Sequence, residues 1–165
     1  MNLKRIFRHL SYPQWRTRRA FPPDSLRAIE AAVAASENTH RGELRFVVEG
    51  GLDLPLLLRG VDAHVRAIEL FSQLRVWDTE ENSGVLIYVQ FADRRVEFVA
   101  DRGIHARVGN AGWQAICRDM EQAFAAGQFE AGVLTGLAAI GRLLAAHFPV
   151  GTDNPDELAN APTLL

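Results

Sequence analysis

Apolar positions along the chain alternate between a spacing of about 3.6 residues and a spacing of two, and the switches between them divide the sequence into elements. Leu26, Ile29 and Val33 recur at helical spacing after Pro22-Pro23, with Asp24 or Ser25 placed to cap a helix through Ser36. Residues 43–49 read as a strand with Leu44, Phe46 and Val48 on one face, stopped by Gly50-Gly51. Helical spacing returns over 54–74, interrupted near Gly60 and restarted at Asp62, with Val65, Ile68 and Phe71 on one stripe. Residues 85–91 are almost wholly apolar, as in a strand buried on both faces. Ala92-Asp93-Arg94 is a tight turn, and 95–101 return as an antiparallel partner. After a predicted loop over 102–112 come two helices, 113–126 with Ile116, Met120 and Phe124 aligned, and 130–148 with Val133, Leu137, Ile140 and Leu144 aligned. Gly127 closes the first and Pro149 the second.

This order predicts an α/β fold: an α/β/α sandwich with a mixed, mostly parallel-core sheet ending in an antiparallel hairpin and helices on both faces. A right-handed crossover makes strand 43–49 parallel to strand 85–91. Three regions follow: a basic amphipathic arm over 1–21, the domain over 22–149, and a tail over 150–165 whose Pro155, Pro162 and polar residues predict an extended or mobile segment.

In the arm, Leu3, Ile6, Phe7 and Leu10 share one helical face while Lys4, Arg5, Arg8 and His9 occupy the others. Such a helix either lies on an anionic membrane surface, with Tyr12 and Trp15 at the interface, or packs on its own domain or a partner chain. Charge sharpens the contrast. Six basic and no acidic side chains occupy the first twenty residues, leaving twelve basic against twenty acidic in the remainder of a chain whose net charge is −2. An acidic body repels phosphates, so no nucleic-acid partner is expected; the expected partner is another protein, with peripheral contact to an anionic membrane through residues 1–20.

The 165 residues are 48% apolar and 23% charged, the make-up of one soluble domain, and no stretch reads as the ~20 consecutive apolar residues of a membrane span. One cysteine, Cys117, cannot form an intrachain disulfide, and its place in a helix makes it a small core residue rather than a nucleophile. Without a signal-peptide pattern, the expected location is cytoplasmic, peripheral to the inner membrane surface. Nucleotide-binding glycine loops, the Gly-x-Ser-x-Gly elbow and the His-Glu-x-x-His zinc motif are all missing from the sequence, which argues against four large enzyme classes.

The topology brings the starts of two parallel strands and the end of the third strand to one sheet edge. His40, Arg41 and Glu43 lie before the first strand; Asp78, Thr79, Glu80, Glu81 and Asn82 before the second; Asp101, Arg102 and His105 after the third. Oxygen-rich side chains suit a hard divalent cation, calcium or magnesium, with Asp78, Asn82 and Asp101 as the candidate ligands. In a metal-assisted phosphatase, Asp101 would hold the ion, Arg102 would stabilise a phosphoryl group and His105 would serve as general acid or base. The bland alternative is a solvated loop whose side chains cap backbone groups.

The blocks Asn82-Ser83-Gly84-Val85-Leu86-Ile87-Tyr88-Val89, Asp93-Arg94-Arg95-Val96-Glu97 and Ala100-Asp101-Arg102-Gly103-Ile104 resemble the TPM domain family, named for a thylakoid lumen protein and its relatives. Phe124, Gly127, Phe129 and Gly132-Val133-Leu134 fit its helix pair, and Arg66-Ala67, Leu70-Phe71 and Val76-Trp77-Asp78 fit its earlier part. The resemblance runs over about residues 26–148. It implies the α/β/α sandwich, and links to acid phosphatase activity, divalent metal binding and photosystem II repair, beside many bacterial members with no established activity. A short, soluble bacterial subfamily is implied, as an interaction module for a protein or membrane assembly, a divalent-metal-dependent phosphatase, or a calcium-binding domain. The family's Gly-Tyr-Gly-Leu-Glu loop reads here Asp101-Arg102-Gly103-Ile104-His105, an acid and a base in place of a small residue and an aromatic.

Overall fold

The computed structural model describes residues 2–151 and 157–165, so the part of the tail expectation that falls on 152–156 lies outside the described residues. Two short helices, α1 (Leu3–Leu10) and α2 (Gln14–Ala20), lead into α3 (Pro23–Glu37) and strand β1 (Glu43–Glu49). Next come α4 (Leu54–Leu58), α5 (Ala63–Gln73), β2 (Gly84–Gln90) and β3 (Arg95–Ala100), then α6 (Arg102–Ala125), α7 (Phe129–His147) and β4 (Thr163–Leu164). The four strands lie in the order β3-β2-β1-β4, with β1 parallel to β2 and β4 and with β2 antiparallel to β3.

Alternation along the strands sends side chains into two cores. Phe46, Val48, Val85, Ile87 and Val89 face α3, α6 and α7, where they meet Ile29, Val33, Met120, Val133, Leu137 and Ile140. Val47, Leu86 and Tyr88 face α5, where Ala63, Ala67 and Leu70 cover them. All seven residues of β2 are buried, as a strand covered on both faces requires. The result is the α/β/α sandwich.

Three expectations change. Residues 102–112 are helical, not a loop: Asp101 caps α6 by accepting from Arg102 N–H at 2.6 Å, and the helix kinks at Gly109, whose φ of +70° suits glycine. Gly103 and Gly112 disguised that helix in the sequence, since glycine there breaks the apolar period. The tail ends in order. Leu165 N–H donates to the Val48 carbonyl at 2.9 Å, so β4 closes the free edge of β1, but two residues are too few to show a period. Finally, the 19-residue α7 is long and apolar enough, by length and composition, to cross a membrane; Val133, Leu137, Ile140 and Leu144 are nevertheless buried in the core.

α1 and α2 close the other end of the sheet. Gly50 and Gly51, expected only as a strand stop, form their seat: a Cβ on Gly51 would collide with the His9 carbonyl, and one on Gly50 would lie 3.0 Å from Thr17 Oγ1. Glycine is required here by close approach rather than by its backbone angles.

Candidate functional site

At the edge where β1 and β2 begin, the three polar loops do meet. Glu43 N–H donates to Ser83 O at 3.1 Å, the Ser83 hydroxyl to Arg41 O at 2.9 Å, and Asp101 N–H to Gly84 O at 2.9 Å. A Cβ on Gly103 would stand 2.9 Å from the Asn82 carbonyl oxygen, so this loop and the start of α6 are in contact. Most polar groups at this edge serve the backbone. The Thr79 hydroxyl accepts from Ser83 N–H at 2.9 Å, Glu37 accepts from Leu44 N–H at 2.9 Å, and Glu43 accepts from the backbone of Leu158 at 3.1 Å. His40 is fully buried with Nδ1 accepting from Gly42 N–H at 3.1 Å, and burial lowers its pKa.

The candidate residues separate in environment. Asp78 and Asn82 are exposed, as are Arg102 and His105, and His105 stands on the first turn of α6 rather than in a loop. Asn82 adopts a left-handed conformation, φ +51°, that suits a turn. Asp101 is buried, and its second carboxylate oxygen, Oδ2, has no hydrogen-bond partner among the described residues. One free buried carboxylate oxygen is suited to a cation. A hard cation takes six to eight oxygens, however, and among the described residues no group of three or more His, Cys, Asp or Glu is arranged to hold a metal. The described side chains there would leave most of an ion's coordination to backbone carbonyls and water. Cys117 is partly buried and its thiol is pushed up to about 12 by burial and by the charges of Glu97 and Glu121, so it stays protonated at neutral pH.

The opposite end of the sheet holds an assembly that the sequence reading did not single out. Arg66 grips the buried Glu49 carboxylate through Nε and Nη2 at 3.0 and 2.9 Å, and the Tyr88 hydroxyl donates to Glu49 Oε2 at 2.6 Å. Burial raises the Tyr88 pKa, and the Glu49 charge raises it further. Beside it, the β2–β3 turn presents Asp93 to the arm. Arg5 holds Asp93 through Nη2 at 2.8 Å and Nε at 3.1 Å, Arg8 pairs with its other oxygen, and His9 Nε2 lies 3.0 Å from Oδ1. Burial by itself would raise the Asp93 pKa, but its contacts with Arg5 and His9 outweigh that and hold it at about 2. A run of arm cations together with one acid in the turn was the available signal, and pairing the two needed the tertiary structure.

Because α1 spends Arg5, Arg8 and His9 on Asp93, its apolar face points away from the domain. Leu3 is 68% exposed, Phe7 74% and Leu10 54%, and Trp15 on α2 is 56% exposed. α4, which touches α1, adds exposed Leu54 and Leu58. Lys4, Arg16, Arg18 and Arg19 are exposed on the same two helices. The outer surface of α1–α2 is thus both apolar and cationic.

Comparison with known proteins gives a family and a fold. A family model described as TPM domain matches residues 17–143. Among solved structures, the NMR structure of the BA42 protein from the psychrophilic bacterium Bizionia argentinensis is 29% identical, with a TM-score of 0.76 over 86% of this chain and 93% of that one. The N-terminal domain of a protein from P. gingivalis is 18% identical, with a TM-score of 0.49 over 74% of this chain and 93% of that one. No match is found among curated proteins.

Proposed function

This chain belongs to the TPM domain family, and from that premise we propose that it is an interaction module that docks on an anionic membrane surface through α1 and α2. The observation that carries the reading is the inverted arm, whose polar face is tied to Asp93 and whose Leu3, Phe7 and Leu10 face outward. An amphipathic helix held this way offers aliphatic and aromatic side chains to the acyl boundary, and nearby Lys and Arg contribute about 1 kcal/mol each near anionic lipid. The uneven charge of the chain orients the approach: the arm carries cations without acids, and the body carries the acidic excess. Trp15 suits the headgroup boundary, where one side of an aromatic ring is apolar and the other wet.

Vesicle sedimentation tests the reading. The protein should pellet with vesicles containing phosphatidylglycerol and stay in solution with phosphatidylcholine alone, and the double variant Phe7→Ser/Leu10→Ser should stay in solution with both. Parent protein left in the supernatant with the anionic vesicles would sink the proposal.

A second reading, a divalent cation at the other edge, is favoured by one observation, the buried Asp101 Oδ2 that has no hydrogen-bond partner among the described residues. Any ion there would need backbone carbonyls and water for most of its coordination. Thermal unfolding with calcium, magnesium and EDTA decides it: a shift that Asp101→Asn abolishes supports the ion, and equal midpoints in all three conditions dismiss it.

A further inference from the structure

A cleft of about 1230 Å3 opens beside the outward face of the arm, between α1–α2, the β2–β3 turn and the α6–α7 connection. Its floor is aromatic. Phe91, Phe124 and Phe129 are half-buried there, with Phe129 centred 5.4 Å from Phe91 and 5.6 Å from Phe124. Its rim is cationic, with five arginines against two glutamates. Both glutamates are engaged: Glu121 accepts from Val96 N–H at 3.0 Å, and Glu130 accepts from the Ser25 hydroxyl. Arg8 is committed to Asp93, and Arg95 stands 4.0 Å from Glu121. Arg16, Arg19 and Arg94 are exposed and form no ion pair among the described residues.

Arg16, Arg19 and Arg94 border one apolar floor without a carboxylate paired to them among the described residues, and a guanidinium fork matches the spacing of phosphate oxygens. Aliphatic carbons attached to that anion would cover the phenylalanine floor and remove it from water. Trp15 lines the cleft and also belongs to the exposed face of the arm, so the two surfaces are continuous. Small-molecule sites usually enclose 300–1,000 Å3, so this cleft has room for a headgroup and the first carbons of its chains.

We propose that the cleft holds the headgroup of one anionic phospholipid, with its phosphate among Arg16, Arg19 and Arg94 and its glycerol and first acyl carbons against Phe91, Phe124 and Phe129. This assignment rests on the membrane-docking reading and names the lipid chemistry that would make docking selective. General charge attraction then brings the protein to the surface, and the cleft distinguishes an anionic phosphodiester from other negative charge.

Calorimetric titration with dihexanoyl phosphatidylglycerol, kept monomeric below its micelle concentration, reads the cleft without a bilayer. Saturable binding is expected. Arg19→Ala and Arg94→Ala, both at exposed side chains, should each weaken it about tenfold, the effect of one charge-assisted hydrogen bond. Ile68→Ser, at an exposed position of α5 outside both the cleft and the arm, should leave it unchanged. Circular-dichroism melts of the variants separate lost binding from lost folding. Lipid affinity that survives both arginine substitutions, or inorganic phosphate binding as tightly as the lipid, overturns the assignment. Vesicle sedimentation by the parent protein is the separate reading of docking. Sedimentation without binding in the cleft removes the headgroup site and leaves docking in place, whereas binding in the cleft without sedimentation removes docking and with it the membrane source of the ligand.

Discussion

His9 Nε2 lies 3.0 Å from Asp93 Oδ1 while His9 Nδ1 accepts the Leu52 N–H at 3.0 Å, so one buried imidazole fastens the arm both to the β2–β3 turn and to the segment after β1. With Nδ1 accepting, the proton sits on Nε2 and the ring is neutral. Burial lowers the His9 pKa against the pull of Asp93, with Arg5 and Arg8 adding to the lowering.

Stability should therefore fall on acidification in two stages. A group whose pKa is depressed by folding contributes stability above its unfolded pKa and loses it as pH falls through the folded value. For His9 that window opens just below 6.5; for Asp93 it lies between 3.8 and about 2. Chemical denaturation at a series of pH values should show the first decline in the parent protein and a flatter profile in His9→Asn. An unchanged slope in the variant would show that His9 does not set it.

Asp93→Asn leaves Arg5 and Arg8 without their anion at a part-buried site, so it should cost about 3 kcal/mol and loosen the arm. Limited trypsin digestion should then cut earlier at Arg5, Arg8 and Arg16 than in the parent. Equal cleavage rates would contradict the anchoring role.

Gly51→Ala places a methyl group against the His9 carbonyl, a backbone atom that cannot rotate away. The expected loss is about 1–3 kcal/mol, typical of overpacking, with the arm again more readily cleaved. A control at Gly109 in α6, which has open space around its Cβ position but a φ of +70°, should lose stability without releasing the arm.

The Glu49–Arg66–Tyr88 cluster should behave as a buried ion pair. Arg66→Ala strands the Glu49 charge and should cost about 3–5 kcal/mol in urea unfolding, whereas Tyr88→Phe removes one hydrogen bond to that charge and should cost about 2 kcal/mol. If Arg66→Ala proves nearly neutral, the carboxylate finds another partner.

Cys117 should react slowly with thiol reagents near neutral pH, since a thiol with a pKa of about 12 offers almost no thiolate. Urea should raise the rate to that of an ordinary exposed cysteine. Fast labelling of the native protein would mean that burial does not protect the sulfur.

The sequence by itself determined the layered fold, because periods of 3.6 and two are local and repeat often enough to be read: α3, α5, α7, the three long strands and the Asp93 turn all follow from them. It also located the polar edge, since topology alone brings the loops before β1 and β2 beside the end of β3. Only the tertiary structure decided how those residues are employed. It buried Asp101 while leaving Asp78 and Asn82 in solvent, placed His105 on a helix, and drew a two-residue strand from the tail. The arm shows the division most clearly. Its amphipathic pattern predicts which residues share a face, but which face turns inward depended on Asp93, some eighty residues away, and on a glycine pair that lets the helix approach. Periodicity is a property of neighbours along the chain, whereas the pairing of charges and the clearance for a backbone are properties of segments that meet only when the chain has folded.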